Sequence, residues 1–158
     1  MTESNPKRWG EGVRITAPAL ASLHFDWEGS RATLEQQEAP MQVEYVLNLS
    51  RFNRLAMGVG FGLHVVGIEG LTASAVFRMT AELDPDSSEA SEPETAFRQF
   101  AARIAPLAIY PFVREALASA AIRANLPSIV LPITNVGSVF TPDEIELPDP
   151  PSEENTEG

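Results

Sequence analysis

Residues 106–140 read PLAIYPFVREALASAAIRANLPSIVLPITNVGSVF. The first half has helical spacing. At about 100° per residue, Tyr110, Val113, Leu117, Ala120, Ala121 and Ala124 share one face, and Arg114, Glu115, Ala118, Ser119 and Arg123 share the other. Pro111 sits near the start of this helix, where a missing N–H is tolerated if the residue occupies the first turn. The helix is expected to run to about Asn125, with Pro127 stopping it. The alanines make it thin enough to pack closely on a neighbouring helix or sheet. Residues 126–140 then form a nearly uncharged run holding Leu126, Ile129, Val130, Leu131, Ile133, Val136, Val139 and Phe140. An apolar connection of this length either packs as extra core, the commoner case, or lines an exposed apolar groove.

Upstream of this segment the period changes to two. Ile15, Ala17, Ala19, Ala21, Leu23, Phe25 and Trp27 alternate with polar residues, which predicts a strand with one buried face. Pro18 places it at an edge or a bulge. After a polar link (28–40), Met41, Val43, Tyr45, Leu47 and Leu49 form a second strand, closed by a turn at Asn53-Arg54. In the third, Met57, Val59, Phe61, Leu63 and Val65 fill one face, while Gly58, Gly60, Gly62 and His64 fill the other. Three glycines on one face mean close approach of another backbone or strong curvature; the alternative is a shallow trough for a guest peptide or a partner sheet. Gly67-Ile68-Glu69-Gly70 reads as a hairpin turn into a fourth strand carrying Ala73, Ala75, Phe77, Met79, Ala81 and Leu83. An acidic loop (84–94) leads to a helix starting near Glu92-Pro93, with Phe97, Phe100, Ala101 and Ile104 on one stripe. Pro106 is expected to break or kink it.

The order β-β-β-β-α-α predicts an α+β domain: a four-stranded antiparallel meander with the C-terminal helices packed on one side. Residues 1–12 read as a flexible N-terminus, 13–140 as the domain, and 141–158 as an acidic, Pro-rich disordered tail.

Formal net charge is −11, with 22 acids against 11 bases. Seven acids lie in the last 16 residues and five more in the loop 84–94. Without clustered Lys and Arg, nucleic-acid and anionic-membrane binding are not expected. The acidity fits either a basic protein partner or simple solubility. The absence of cysteine rules out disulfides and thiolate metal sites and fits a reducing compartment. No apolar run approaches a membrane span. The sequence MTESNPKRWGEG has no apolar signal region, so a soluble cytoplasmic protein is expected.

Catalytic motifs are missing. His24 and His64 each sit alone on a polar strand face. There is no nucleophile elbow, and the glycines at 58–62 lie within a strand, with no helix after them to cradle phosphate. The residues therefore point to neither enzyme, cofactor nor metal.

The segment 106–140 resembles the SecB family of export chaperones. Pro111, Arg114, Glu115, Ser119, Arg123, Pro127, Leu131, Asn135 and Phe140 fall in register with that family without a gap, and the order of strands and helices is similar. The resemblance implies an ATP-independent holdase that keeps unfolded preproteins translocation-competent in hydrophobic grooves. It implies client contacts at Phe61, Leu63, Ile129, Leu131, Ile133, Val136, Val139 and Phe140. It also implies a homotetramer, a dimer of dimers, joined through Tyr110, Val113, Arg114, Glu115, Leu117, Ala120 and Ala121. Asp26 matches a position that docks on the SecA motor, while Ser22 and the stretch Ala75-Val76-Phe77 lack the acids expected beside it. Thr141-Pro142 and the acidic tail replace most of the family's last helix. Two other readings stay open: a SecB-like chaperone dedicated to one partner such as an antitoxin, and a small α+β ligand-binding or enzymatic domain.

Overall fold

A computed structural model describes residues 11–29, 41–126, 131 and 135–152. The chain forms strands β1 (Val13–Ile15), β2 (Ala19–Trp27), β3 (Gln42–Asn53), β4 (Ala56–Val66) and β5 (Leu71–Leu83). Helix α1 (Pro93–Gln99), a π turn (Phe100–Ile104) and helix α2 (Ala105–Arg123) follow as one helical run. Short 3-10 turns lie at Val136–Ser138 and Pro142–Glu144. Among the described residues, no helix is long and apolar enough to cross a membrane.

The architecture is α+β with an antiparallel sheet, as the alternation predicts. Strands β3, β4 and β5 form the expected meander. The Asn53 side chain closes the first turn by accepting the Leu55 N–H at 2.8 Å. Gly67 and Gly70 supply the positive φ of the second turn, both at 82°.

The first strand departs from the meander in two ways. It lies beside β5, not β3, so the order is β1/β2–β5–β4–β3, a Greek-key arrangement. The link 28–41 is too long for a tight hairpin, so nothing local forces the first strand beside the second. The first strand is also split. Pro18 cannot donate to the ladder, and β1 and β2 pair separately with β5 on either side of it. A bulge between Leu20 and Ser22 then reverses the alternation. Leu20, opposite Phe77, therefore joins Leu23, Phe25 and Trp27 on the inner face, while Ala19, opposite Arg78, points outward.

The inner face of β4 and β5 packs under α1 and α2. Phe61, Leu63, Ile109, Val113, Leu117 and Ala121 are fully buried there. Pro106 does not break the helical run. The π turn widens just before it, with the Ala105 N–H donating to the Phe100 carbonyl, five residues back. Pro111 lies inside α2, beyond the first turn. Its ring leaves the Leu107 carbonyl without an intrahelical donor, and this is tolerated because both residues face solvent. The helix ends before Pro127. Asn125 adopts the left-handed conformation at φ 57°, with Leu126 N–H donating to Ala121 and Asn125 N–H to Ile122. These are the two bonds of a Schellman cap.

On the outer face only Gly62 is explained by a close approach. A Cβ there would overlap the Ala75 carbonyl of β5. Gly58 instead lies under the Phe52 ring, and Gly60 between Asn48 and Val76.

Candidate functional site

Sequence reasoning concentrates the candidate residues where the connection after α2 crosses the inner face. Phe61, at the centre of β4, has ring partners on two sides. Tyr45 of β3 stacks on it at 5.9 Å and 17°, and Phe140 meets it edge-on at 6.3 Å and 88°. Leu63, Leu131 and Val136 belong to the same buried cluster. Val139 and Phe140 are half-buried. Ile129 and Ile133 lie outside the described residues. An open cleft of about 500 Å³ adjoins Phe140, lined in part by Arg103, Leu107, Asn135, Ser138 and Thr141.

The described members of the expected client-binding set are thus brought together but not left open. Phe61, Leu63, Leu131 and Val136 are all buried. The described part of the crossover packs as core, the commoner of the two alternatives. Part of the stretch read as tail is packed too. Pro142 and Ile145 are buried, and the Ile145 carbonyl accepts the Arg98 Nε–H at 3.3 Å.

Two tyrosines interrupt this apolar floor. The Tyr45 hydroxyl is buried and, among the described residues, has no hydrogen-bond partner. Tyr110, on the core face of α2, has its phenol pKa raised from the ordinary 10.0. Burial is the main cause, the nearby Tyr45 adds to it, and Arg114 opposes it.

Of the residues expected to join subunits, Tyr110, Val113, Leu117 and Ala121 face the chain's own sheet. Ala120 is half-buried, and Arg114 and Glu115 are exposed. Besides single exposed residues such as Ile122 and Leu107, a continuous strip of open apolar surface lies elsewhere. Leu20 (54% exposed) and Leu23 (41%) stand on the inner face of β2, and Phe112 (42%) on α2. Phe112 touches the Phe77 ring at 5.7 Å, and Phe77 is the register partner of Leu20. The strip is therefore continuous between the edge strand and the helix. Two sequence signals marked it. Leu20 is a large apolar residue out of phase with its strand, and Phe112 is an aromatic off the core face of its helix.

Asp26 is exposed on the outer face of β2, opposite Thr72. The positions expected to carry acids beside it do not: Ser22 pairs with Val76, and Ala75 and Phe77 point inward, while Glu28 follows two residues on. The sheet register also aligns Glu44, His64, Ser74 and His24 in one row across β3, β4, β5 and β2. A carboxylate thus stands beside a histidine that is far from any acid orienter in sequence. Among the described residues, no group of three or more His, Asp or Glu side chains is placed to hold a metal ion.

No protein-family model matches the chain, and no curated protein matches it significantly. Among solved structures, it is similar to the Mycobacterium tuberculosis Rv1957 SecB-like chaperone, determined in complex with a ChAD peptide from the Rv1956 HigA1 antitoxin. That match has a TM-score of 0.59 at 17% identity and covers 77% of this chain and 90% of the chaperone. It also matches a Streptococcus agalactiae protein of unknown function, at TM-score 0.38 and 13% identity, over 77% of this chain and 97% of that one. The fold is therefore SecB-like.

Proposed function

We propose that this chain is a nucleotide-independent holdase that binds non-native polypeptide segments on the inner face of its sheet. The observation that carries the reading is the shared fold over nearly the whole of a SecB-like chaperone. The apolar crossover supports it, because its side chains suit unfolded clients of many sequences. Client contacts are assigned to Phe61, Leu63, Leu131, Val136, Val139 and Phe140, with Ile129 and Ile133 on the same connection. Several of these are buried in the free chain. A client therefore displaces part of the crossover and replaces its contacts, at about 25 cal/mol per Å² of apolar area covered. The mechanism needs no catalytic group, nucleotide or metal.

Among chaperone roles, protection of one dedicated partner, such as an antitoxin segment, is favoured over docking on SecA. The missing acids at Ser22 and along Ala75-Val76-Phe77 favour it, since an acidic docking face is built from several carboxylates on the sheet. Assembly is assigned to the strip of Leu20, Leu23 and Phe112, with Arg114 and Glu115 on the exposed side of α2. A second copy covering the strip would build a dimer, and a dimer of dimers would need a further contact surface.

The test is light scattering of a chemically unfolded, aggregation-prone protein diluted into buffer without ATP. Suppression near one oligomer per client is expected. No suppression at several-fold excess would sink the general holdase. An antitoxin-derived peptide that binds under those conditions would leave the dedicated reading standing.

A further inference from the structure

The Tyr45 hydroxyl stands out among the described residues as a buried polar atom without a partner. Its ring stacks on Phe61 and its oxygen is buried, yet no described residue accepts its proton or donates to it. An unpaired buried hydroxyl costs about 1–3 kcal/mol. Phenylalanine at 45 would keep the stack and the shape without that cost. The hydroxyl is therefore not explained by the fold of the free chain, and such exceptions call for a reason.

Its position suggests one. Tyr45 is on β3, which ends the sheet on the side away from β5. It lies beside Phe61 and near Tyr110, where the aromatic floor passes from sheet to helix. An extended chain laid across this floor presents a main-chain carbonyl about every 3.3 Å per residue. A phenol can donate to any one of them, whatever the side chains.

We infer that the Tyr45 hydroxyl is the polar anchor of the groove, donating to a main-chain carbonyl of a bound, extended apolar polypeptide segment. The inference rests on the holdase reading and adds a basis for selection. In helices and paired strands the carbonyls are already occupied. Only a segment with free main-chain acceptors satisfies both the apolar floor and the hydroxyl. The anchor thus discriminates by conformation and not by sequence.

The test compares the full-length protein with Y45F. The probes are fluorescein-labelled reduced, carboxymethylated α-lactalbumin and an unrelated 20-residue apolar peptide, each followed by anisotropy. Urea unfolding of both free proteins runs in parallel. Y45F is expected to bind both probes about 5- to 10-fold more weakly while unfolding at the same or a higher urea concentration. Equal affinity for wild type and Y45F overturns the anchor and leaves the holdase standing. Weakening for one probe alone would mean a side-chain contact and also overturns it. So would weaker binding joined to lower stability of free Y45F, since the hydroxyl would then serve the fold. If the wild type binds neither probe, the holdase reading fails and the anchor falls with it.

Discussion

The aromatic cluster under the crossover and the strip between β2 and α2 are built from the same residue types on the same face of one sheet. They differ in what covers them. Phe61 is enclosed by Tyr45, Phe140 and the helices, whereas Leu20, Leu23 and Phe112 have little of the chain over them. In the cluster, apolar burial is already committed to folding, so a guest gains only the difference between its contacts and those it displaces. On the strip, burial is still available to a partner. Apolar character alone therefore does not locate a binding surface. The enclosed region suits exchange with a flexible client, and the open one suits lasting contact with a rigid partner such as a second copy.

Truncation at the centre of the enclosed region should give the largest effect. Phe61→Ala is expected to cost about 3–5 kcal/mol in urea unfolding. A cost below 1 kcal/mol would show that the cluster is not core, and the contrast would collapse. The double substitution Leu20→Glu and Phe112→Ser probes the other side. It should change fold stability by less than about 1 kcal/mol, as surface changes do, while lowering the solution mass measured by light scattering after gel filtration. An unchanged mass above that of the monomer would remove the strip as the interface.

Smaller effects sharpen the boundary between the regions. Phe140→Ala removes one edge-on ring contact, worth about 0.5–1.5 kcal/mol beyond its buried area. It should also expose Phe61 enough to raise binding of a hydrophobic dye, and no rise would mean that Phe140 is not part of the cover. The smallest effect concerns pH. The Tyr110 phenol holds its proton more tightly in the folded chain, so its contribution is complete below pH 10.0 and is lost as pH rises through the higher folded value. Tyr110→Phe should flatten the fall in stability above pH 10.0, seen by urea titration at increasing pH. An unaltered slope would assign that fall to other groups.

The three strands β3–β5 were legible because each hairpin carries its own turn chemistry and its own alternation. The core face of α2 was legible for the same reason, since Tyr110, Val113, Leu117 and Ala121 recur at helical spacing. The rest depended on partners distant in sequence. Nothing near residue 20 says that the first strand pairs with β5, and the bulge that turns Leu20 inward is a property of that pairing. Ile145 sits within an acidic, proline-bearing stretch, so its burial against the helical run had no compositional signal. Leu131, Val136, Val139 and Phe140 stand out in the sequence because the connection that carries them is rich in apolar side chains. Whether that crossover was cover or opening depended on how Phe140 met Phe61, a contact that bridges the whole second half of the chain. Tyr45 was counted as one more apolar position in an alternating strand, because a missing hydrogen-bond partner has no sequence signature.

At the opposite corner of the sheet, Arg51 bears on how the molecule can open. Its side chain is 1% exposed and donates to the Asn53 and Arg54 carbonyls at 2.9 Å and to Glu94 at 3.3 Å. Its guanidinium lies 4.7 Å over the Phe97 ring, and Arg54 adds a bond to the Ala90 carbonyl at 3.2 Å. The β3–β4 corner and α1 are thereby tied together through side-chain contacts. The Arg98 bond to Ile145 is a far lighter tether on the segment beyond the crossover. Splaying the helices from the sheet would break these contacts, whereas peeling back the crossover leaves them intact. The helical run is thus fastened to the sheet at this corner independently of the connection that follows it.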